Sequence, residues 1–191
     1  MAKADGQQIV TPSAESLAQS VRAAAPRGLP PVEKWNPPFC GDLDMRIARD
    51  GTWFYLGTPI GRPGLVRLFS SILRKDGEDY FLVTPVEKVG IRVDDAPFVA
   101  IDFNPVEGGL EFVTNVEDRM VAGPDHPIRV VRDPETGEPS PYILVRRNLE
   151  ALIDRKSFYR LVELGEVEGE MFGLRSGGAF FPIIPAAELE V

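Results

Sequence analysis

The sequence predicts an α+β chain dominated by short β-strands, and three observations lead there. Runs rich in β-branched and aromatic residues ("DYFLVT", "KVGIRV", "PFVAIDF", "LEFVTN", "YILVRR") follow one another, separated by Gly, Pro, Asp and Asn. Two Leu-rich segments with helical spacing interrupt them. A proline-rich stretch near the N-terminus fits neither element. The 191 residues are 43% hydrophobic and 26% charged, enough for a packed core in one large domain or two small ones.

Residues 1–38 read as an arm. "SAESLAQSVRAAAP" predicts a short helix with Ser13 as N-cap and Ser16 close behind. "PRGLPPVEKWNPP" should run extended, with the Trp35 ring pinning it. "DMRIARDGTWFYL" predicts a hairpin over Asp50-Gly51, two residues that both accept positive φ. In "LVRLFSSILRKDG", Leu65, Leu68, Phe69, Ile72 and Leu73 share one helical face. Pro63 suits the first turn of that helix and Gly77 its C-cap region. "DRMVAG" and "PIRVVRD" extend the series of strands, and "PETGEPSP" is a polar loop.

"NLEALIDRKSFYRLVELG" predicts a second helical region, capped by Asn148 with Leu149, Leu152 and Ile153 on one face. Ser157 caps a fresh start, Phe158, Leu161 and Val162 face inward, and Gly165 ends it. "GEMFGLRSGGAFFPII" predicts a closing hairpin over Gly177-Gly178. Residues 46–69 and 129–152 share a rough plan of strand, Arg-Asp turn, strand with a tyrosine, arginine and Leu-rich segment. That likeness suggests a duplicated unit, with β-rich domains at 39–105 and 106–191.

The net charge of −8 disfavours a broad grip on nucleic acid or anionic lipid, while a local basic pocket for a small anion stays open. No apolar run approaches the roughly 20 residues that span a bilayer. One cysteine, Cys40, allows no internal disulfide, and a cytoplasmic home is the simplest expectation. One histidine, His126, sits in "GPDHPI" and reads as a turn residue; the ligands of a zinc site are too few, and no cofactor is expected.

Several residues are candidates for chemistry. Asp94-Asp95 reads as a turn between two strands, or as a metal or acid–base pair if Glu87 and Asp102 converge on it. Arg62, in "TPIGRPG" before the first helix, can meet a phosphate at the helix start, although the ending of a Walker loop is missing. Arg146 and Arg147 precede the second helical region in the same way. Trp53 and Tyr55 offer rings for stacking, or for the core.

"GDLDMRIARDGTWFYLGTPIGRPGLVRLFSSILRKDGEDYFLVTPVEKVGIRVDDAPF" resembles an uncharacterised bacterial family, domain of unknown function 1285. Gly41-Asp42-Leu43, Asp50-Gly51-x-Trp53, Gly57-x-Pro59-Ile60, Leu68-Phe69-x-x-Ile72-Leu73, "VTPVEK" and "DDAPF" carry the likeness, and "SGGAFFPI" adds to it. The resemblance implies a two-domain fold with a repeated β-rich core and a C-terminal half like a pleckstrin-homology-type module. It also implies ligand binding between domains and a part in signalling.

The expectation is a non-enzymatic ligand-binding or signalling module. Its ligand would be a nucleotide-like or phosphorylated anion held between the domains by Trp53, Tyr55, Arg62, Thr84, Glu87, Asp95, Arg146 and Arg147. A protein-interaction adaptor without a small ligand is the alternative. A metal-dependent hydrolase using Glu87, Asp94 and Asp95 is the third.

Overall fold

Strand β1 (Phe39–Ile47) shows how the first sheet forms: Leu43, Met45 and Ile47 are buried, Asp42 and Asp44 alternate with them as exposed residues, and Arg46 is half-buried. That alternation is the period of a half-buried strand. A computed structural model describes residues 13–24 and 28–189. It divides the chain into two compact units, one holding residues up to 46 and 54–92, the other 47–53 and 93 onward. No helix among the described residues is long and apolar enough to cross a membrane.

The first unit contains β1, β2 (Trp53–Tyr55), β3 (Thr58–Pro59), β4 (Leu73–Asp76), β5 (Asp79–Val83) and β6 (Lys88–Val93), in the sheet order β3-β2-β1-β6-β5-β4. Helix α1 (Ala14–Ala24) starts as the sequence predicts. Ser16 N donates to Ser13 Oγ at 3.1 Å, and Ser13 N donates to Ser16 Oγ at 3.3 Å. This reciprocal cap satisfies two donors at the helix start. Leu17, Ala18 and Val21 bury its apolar face, and it packs on α2 (Pro63–Ser71). The proline-rich arm holds one 3-10 turn, Val32–Lys34. Trp35 is half-buried, and Arg74 fixes the segment by donating to the carbonyls of Val32 (2.9 Å) and Trp35 (2.8 Å). Arg74 also forks onto Asp76, and with Lys88 it holds the Asp76 carboxyl below its ordinary range.

Three local expectations change. The β1–β2 connection is a three-residue loop, Arg49-Asp50-Gly51. Ala48 N donates to Thr52 O, Gly51 N donates to Ala48 O, and of the two expected positive-φ residues only Gly51 has one (+89°). That is the pattern of a hairpin that turns and then places glycine in the left-handed region. Helix α2 ends at Ser71, so Leu73 begins a strand paired with Leu82, and Gly77 belongs to the β4–β5 turn. Ile72 and Leu73 are fully buried and would be apolar in either element, so spacing did not distinguish them. The segment after Asn148 is also a strand, β12 (Leu149–Ile153), burying Leu149, Ala151 and Ile153 in alternation. Helix α3 (Arg155–Val162) begins six residues later than expected, capped by Asp154, whose carboxylate accepts from Ser157 N at 2.8 Å. Ser157 is therefore inside the helix, and Asn148 sits in the turn before β12.

The second unit holds β7 (Phe98–Val106), β8 (Gly109–Thr114), β9 (Arg119–Val121), β10 (Ile128–Arg132), β11 (Pro139–Arg146) and β12 in the order β10-β11-β12-β7-β8-β9. The expected boundary at 105/106 therefore falls at the end of β7, within the β7–β8 hairpin. β13 (Glu166–Glu168), β14 (Met171–Ser176) and β15 (Ala179–Pro185) make a third sheet, with Gly177 and Gly178 both at positive φ in the predicted turn. Gly177 must be glycine for a second reason: a Cβ there would lie 2.5 Å from the Ala122 carbonyl oxygen. Ser176 joins this sheet to the larger one, accepting from Leu110 N (2.8 Å) and donating to Ala122 O (2.7 Å).

Read from its β9 edge, the second sheet runs β9-β8-β7-β12-β11-β10, which is the connectivity of the first. Each is two three-strand meanders joined through the first strand of one and the last strand of the other. The segments that suggested a repeat, 46–69 and 129–152, occupy different places in the two sheets.

Phe69 is fully buried. Phe69→Ala should lower unfolding free energy by about 3–5 kcal/mol, measured by urea denaturation.

Candidate functional site

The structure disperses the predicted site residues. Trp53 is 1% exposed, so its ring belongs to the core and presents no stacking face. Tyr55 is half-buried, and its hydroxyl accepts from Ala14 N at 3.4 Å. Arg62 is exposed at the N-cap of α2. Thr84 is buried; its hydroxyl oxygen accepts from Glu87 N at 3.1 Å and fixes the turn between β5 and β6. Glu87 lies in that turn, its carboxyl raised by burial.

Arg146 and Arg147 do not precede a helix; they close the β11–β12 hairpin, with Arg147 exposed at φ +53°. Arg146 pairs with Asp118 at 2.6 Å and lies 4.8 Å from the Phe98 ring centroid. Asp102 pairs with Arg160 of α3. His126, just before β10, contacts the carbonyl of Leu144 in β11 through Nδ1 at 2.9 Å. Among the described residues no three His, Cys, Asp or Glu side chains form a group that could hold a metal ion.

Asp94-Asp95 joins β6 of the first sheet to β7 of the second, so the pair is a connection between sheets and not a hairpin turn. Asp95 has a further role that the sequence did not reveal. Its Oδ1 accepts from the Tyr142 hydroxyl at 2.8 Å, and its Oδ2 lies 3.4 Å from Arg49 Nε. Arg129 stands 4.7 Å over the Tyr142 ring and is forked onto Glu150 at 2.7 Å through each of two nitrogens. Burial first, and then the Asp95 bond, push the Tyr142 phenol up to about 12.

Asp95 thereby helps hold Arg49 at the edge of a cleft of about 470 Å³ in the second unit. Arg49 also donates to Ser140 Oγ at 3.2 Å, yet its side chain stays 62% exposed. Pro141, Leu152 and Phe158 supply apolar lining, and Tyr159 projects from α3 with 61% exposure. The acidic side chains of the cleft are already engaged. Glu138 pairs with Arg155 at 2.5 Å, Asp154 caps α3, and Asp133 accepts two backbone N–H groups at 2.8 Å. The arrangement therefore offers a guanidinium with donors to spare, a hydroxyl, and an aromatic ring beside an apolar wall. Arg49 sat beside the recognised Asp50-Gly51 turn. Ser140 and Tyr159 were hidden in a segment read as loop and on a helix read for its inward face.

Tyr142 keeps its proton when folded above 10.0, where the unfolded side chain ionises. Its raised value means that folding stability is lost as pH climbs from 10 towards 12. Tyr142→Phe should remove that share of alkaline destabilisation, checked by urea denaturation at neutral and alkaline pH. Asp95→Asn should lower the phenol only part way, because burial remains; phenolate absorbance reports the shift.

Two family models match adjoining stretches of the chain, from residue 30 to residue 183. The N-terminal domain of DUF1285, a domain of unknown function, matches residues 30–96, and the C-terminal domain of DUF1285, a protein of unknown function, matches residues 97–183. The crystal structure of a DUF1285 family protein from Silicibacter pomeroyi is 61% identical, with a TM-score of 0.85, covering 92% of this chain and 98% of that one. A DUF1285 family protein from Shewanella baltica is 29% identical with a TM-score of 0.51, over 63% of this chain and 91% of that one. The comparison with curated proteins gives no match. With both domain models matched in order and a 61%-identical relative of the same architecture, this chain belongs to the DUF1285 family.

Proposed function

We propose that the chain is a non-enzymatic module that binds a small anion-bearing ligand, nucleotide-like or phosphorylated, in the cleft of its second unit. The observation that carries this is Arg49. Its guanidinium is steered by Asp95 and Ser140 but stays largely exposed at the cleft, so it keeps donors for an incoming anion. Arginine meets phosphate or carboxylate with paired, charge-assisted hydrogen bonds. Tyr159 supports the ring-bearing half of the ligand, since an exposed phenol face beside apolar walls is suited to stacking. The net charge of −8 favours a small anion over a long polyanion at such a pocket.

A signalling role, a cytoplasmic setting and a pleckstrin-homology-type character for the second unit belong to the same proposal. The last is supported by a six-stranded sheet with α3 packed on β7.

A thermal-shift screen with nucleotides, phosphosugars and divalent metals tests the proposal. A ligand at a hundredfold excess over Kd adds about 2.7 kcal/mol of stability. With a hit in hand, Arg49→Ala should weaken binding about tenfold or more in titration calorimetry, because a hydrogen bond to a charged group contributes about 1.5–3 kcal/mol. Arg62→Ala, in the other unit, should leave affinity unchanged. The reverse pattern would move the anion to the start of α2. A screen without anionic hits would favour the protein-interaction adaptor, and stabilisation by metals alone would favour the carboxylate hydrolase.

A further inference from the structure

A second cleft, of about 420 Å³, lies in the first unit across β1, β6 and β5, and its chemistry is opposite to that of the first. Phe39 and Phe81 meet edge to face, with centroids 6.0 Å apart and planes at 86°. Phe39 is 57% exposed, an unusual position for a phenylalanine in a strand. Asp42 and Asp79 line the same cleft, and neither is in an ion pair among the described residues.

Gly90 makes this arrangement possible. It pairs with Phe81 across the strands, and a Cβ on it would stand 2.1 Å from Asp42 Oδ1. The missing side chain lets the Asp42 carboxylate lie over the strand next to the Phe81 ring. Glycine inside a strand commonly marks such a close approach.

We propose that Phe39, Phe81, Asp42 and Asp79 form a binding site for a small organic cation of the alkylammonium class. Phe39 and Phe81 supply aromatic surface to the cleft, and nearby carboxylates add charge; ammonium groups are recognised by aromatic faces in this way. The chain already shows the preference: the Lys88 ammonium sits 4.0 Å from the Phe81 centroid, tethered to Asp76 at 2.8 Å. Lys88 occupies part of the face that a ligand would use, so it competes with the ligand and does not assist it. The site lies in the other unit from the proposed anion cleft and stands independently of it.

The experiment is an NMR titration of the full chain with tetramethylammonium chloride, run against sodium chloride at equal ionic strength. The expected result is saturable shifts of the Phe39 and Phe81 ring signals with tetramethylammonium and none with sodium. Phe39→Ala and Asp42→Asn should each weaken binding about three- to fivefold. Both positions are exposed, and circular dichroism confirms that the variants fold. Lys88→Met should bind more tightly, because the resident ammonium is gone. Absence of saturable shifts, equal shifts with sodium, affinity unchanged by Phe39→Ala, or Lys88→Met binding no tighter than the native chain would each overturn the site.

Discussion

The parallel pairing of β12 with β7 is the contact on which the second unit depends. Ala151, Leu152 and Ile153 stand opposite Phe98, Val99 and Ala100, joining the backbones of the two meanders. Both strands are central, with buried backbones that must find partners, and each provides the other's second row of hydrogen bonds. Parallel strands need a long crossover, and here the crossover is four intervening strands. Once the seam is made, its continuation is fixed. Asp154 N donates to Ala100 O, Asp154 caps α3, and α3 carries Phe158 and Tyr159 to the cleft.

Charge follows the same logic of satisfied partners. Most arginines of the second unit with a structural duty are matched: Arg146 to Asp118, Arg129 to Glu150, Arg160 to Asp102, Arg132 to Glu188. The exposed pairs among these add little stability each, but they consume donors, and Arg146, only 11% exposed, is spent on a largely buried pair. Arg49 differs because its carboxylate partner, Asp95, is shared with the Tyr142 hydroxyl and meets it at 3.4 Å. It is oriented by a longer contact, and its side chain stays 62% exposed.

The two clefts differ by what the strand surface leaves uncovered. In the second unit the hairpin loop at Arg49 and the start of α3 leave a guanidinium and a phenol at a mixed wall. In the first, a glycine in the middle of β6 leaves room for a carboxylate beside two phenylalanines. Both depend on residues from segments far apart in sequence. Cross-strand register therefore creates each constellation, and neither has a linear motif.

Composition, the alternation in β1 and β8, the serine cap of α1 and the Gly177-Gly178 turn were legible because each is a local property of adjacent residues. The family likeness was legible for the same reason, as ordered short pieces of sequence. Tertiary structure alone decided the rest. "LEALI" fits helix and strand spacing alike, and only the neighbours β11 and β7 make it a strand. "DDAP" has the chemistry of a turn, yet whether its flanking strands pair is a long-range matter, and they lie in different sheets. Trp53 was assigned to the core by packing, and Arg146 to a structural pair by the position of Asp118, 28 residues away. Sequence fixes what each residue can do through its own backbone and nearest neighbours. Partners across the sheet decide which of those capacities are spent on the fold and which remain for a ligand.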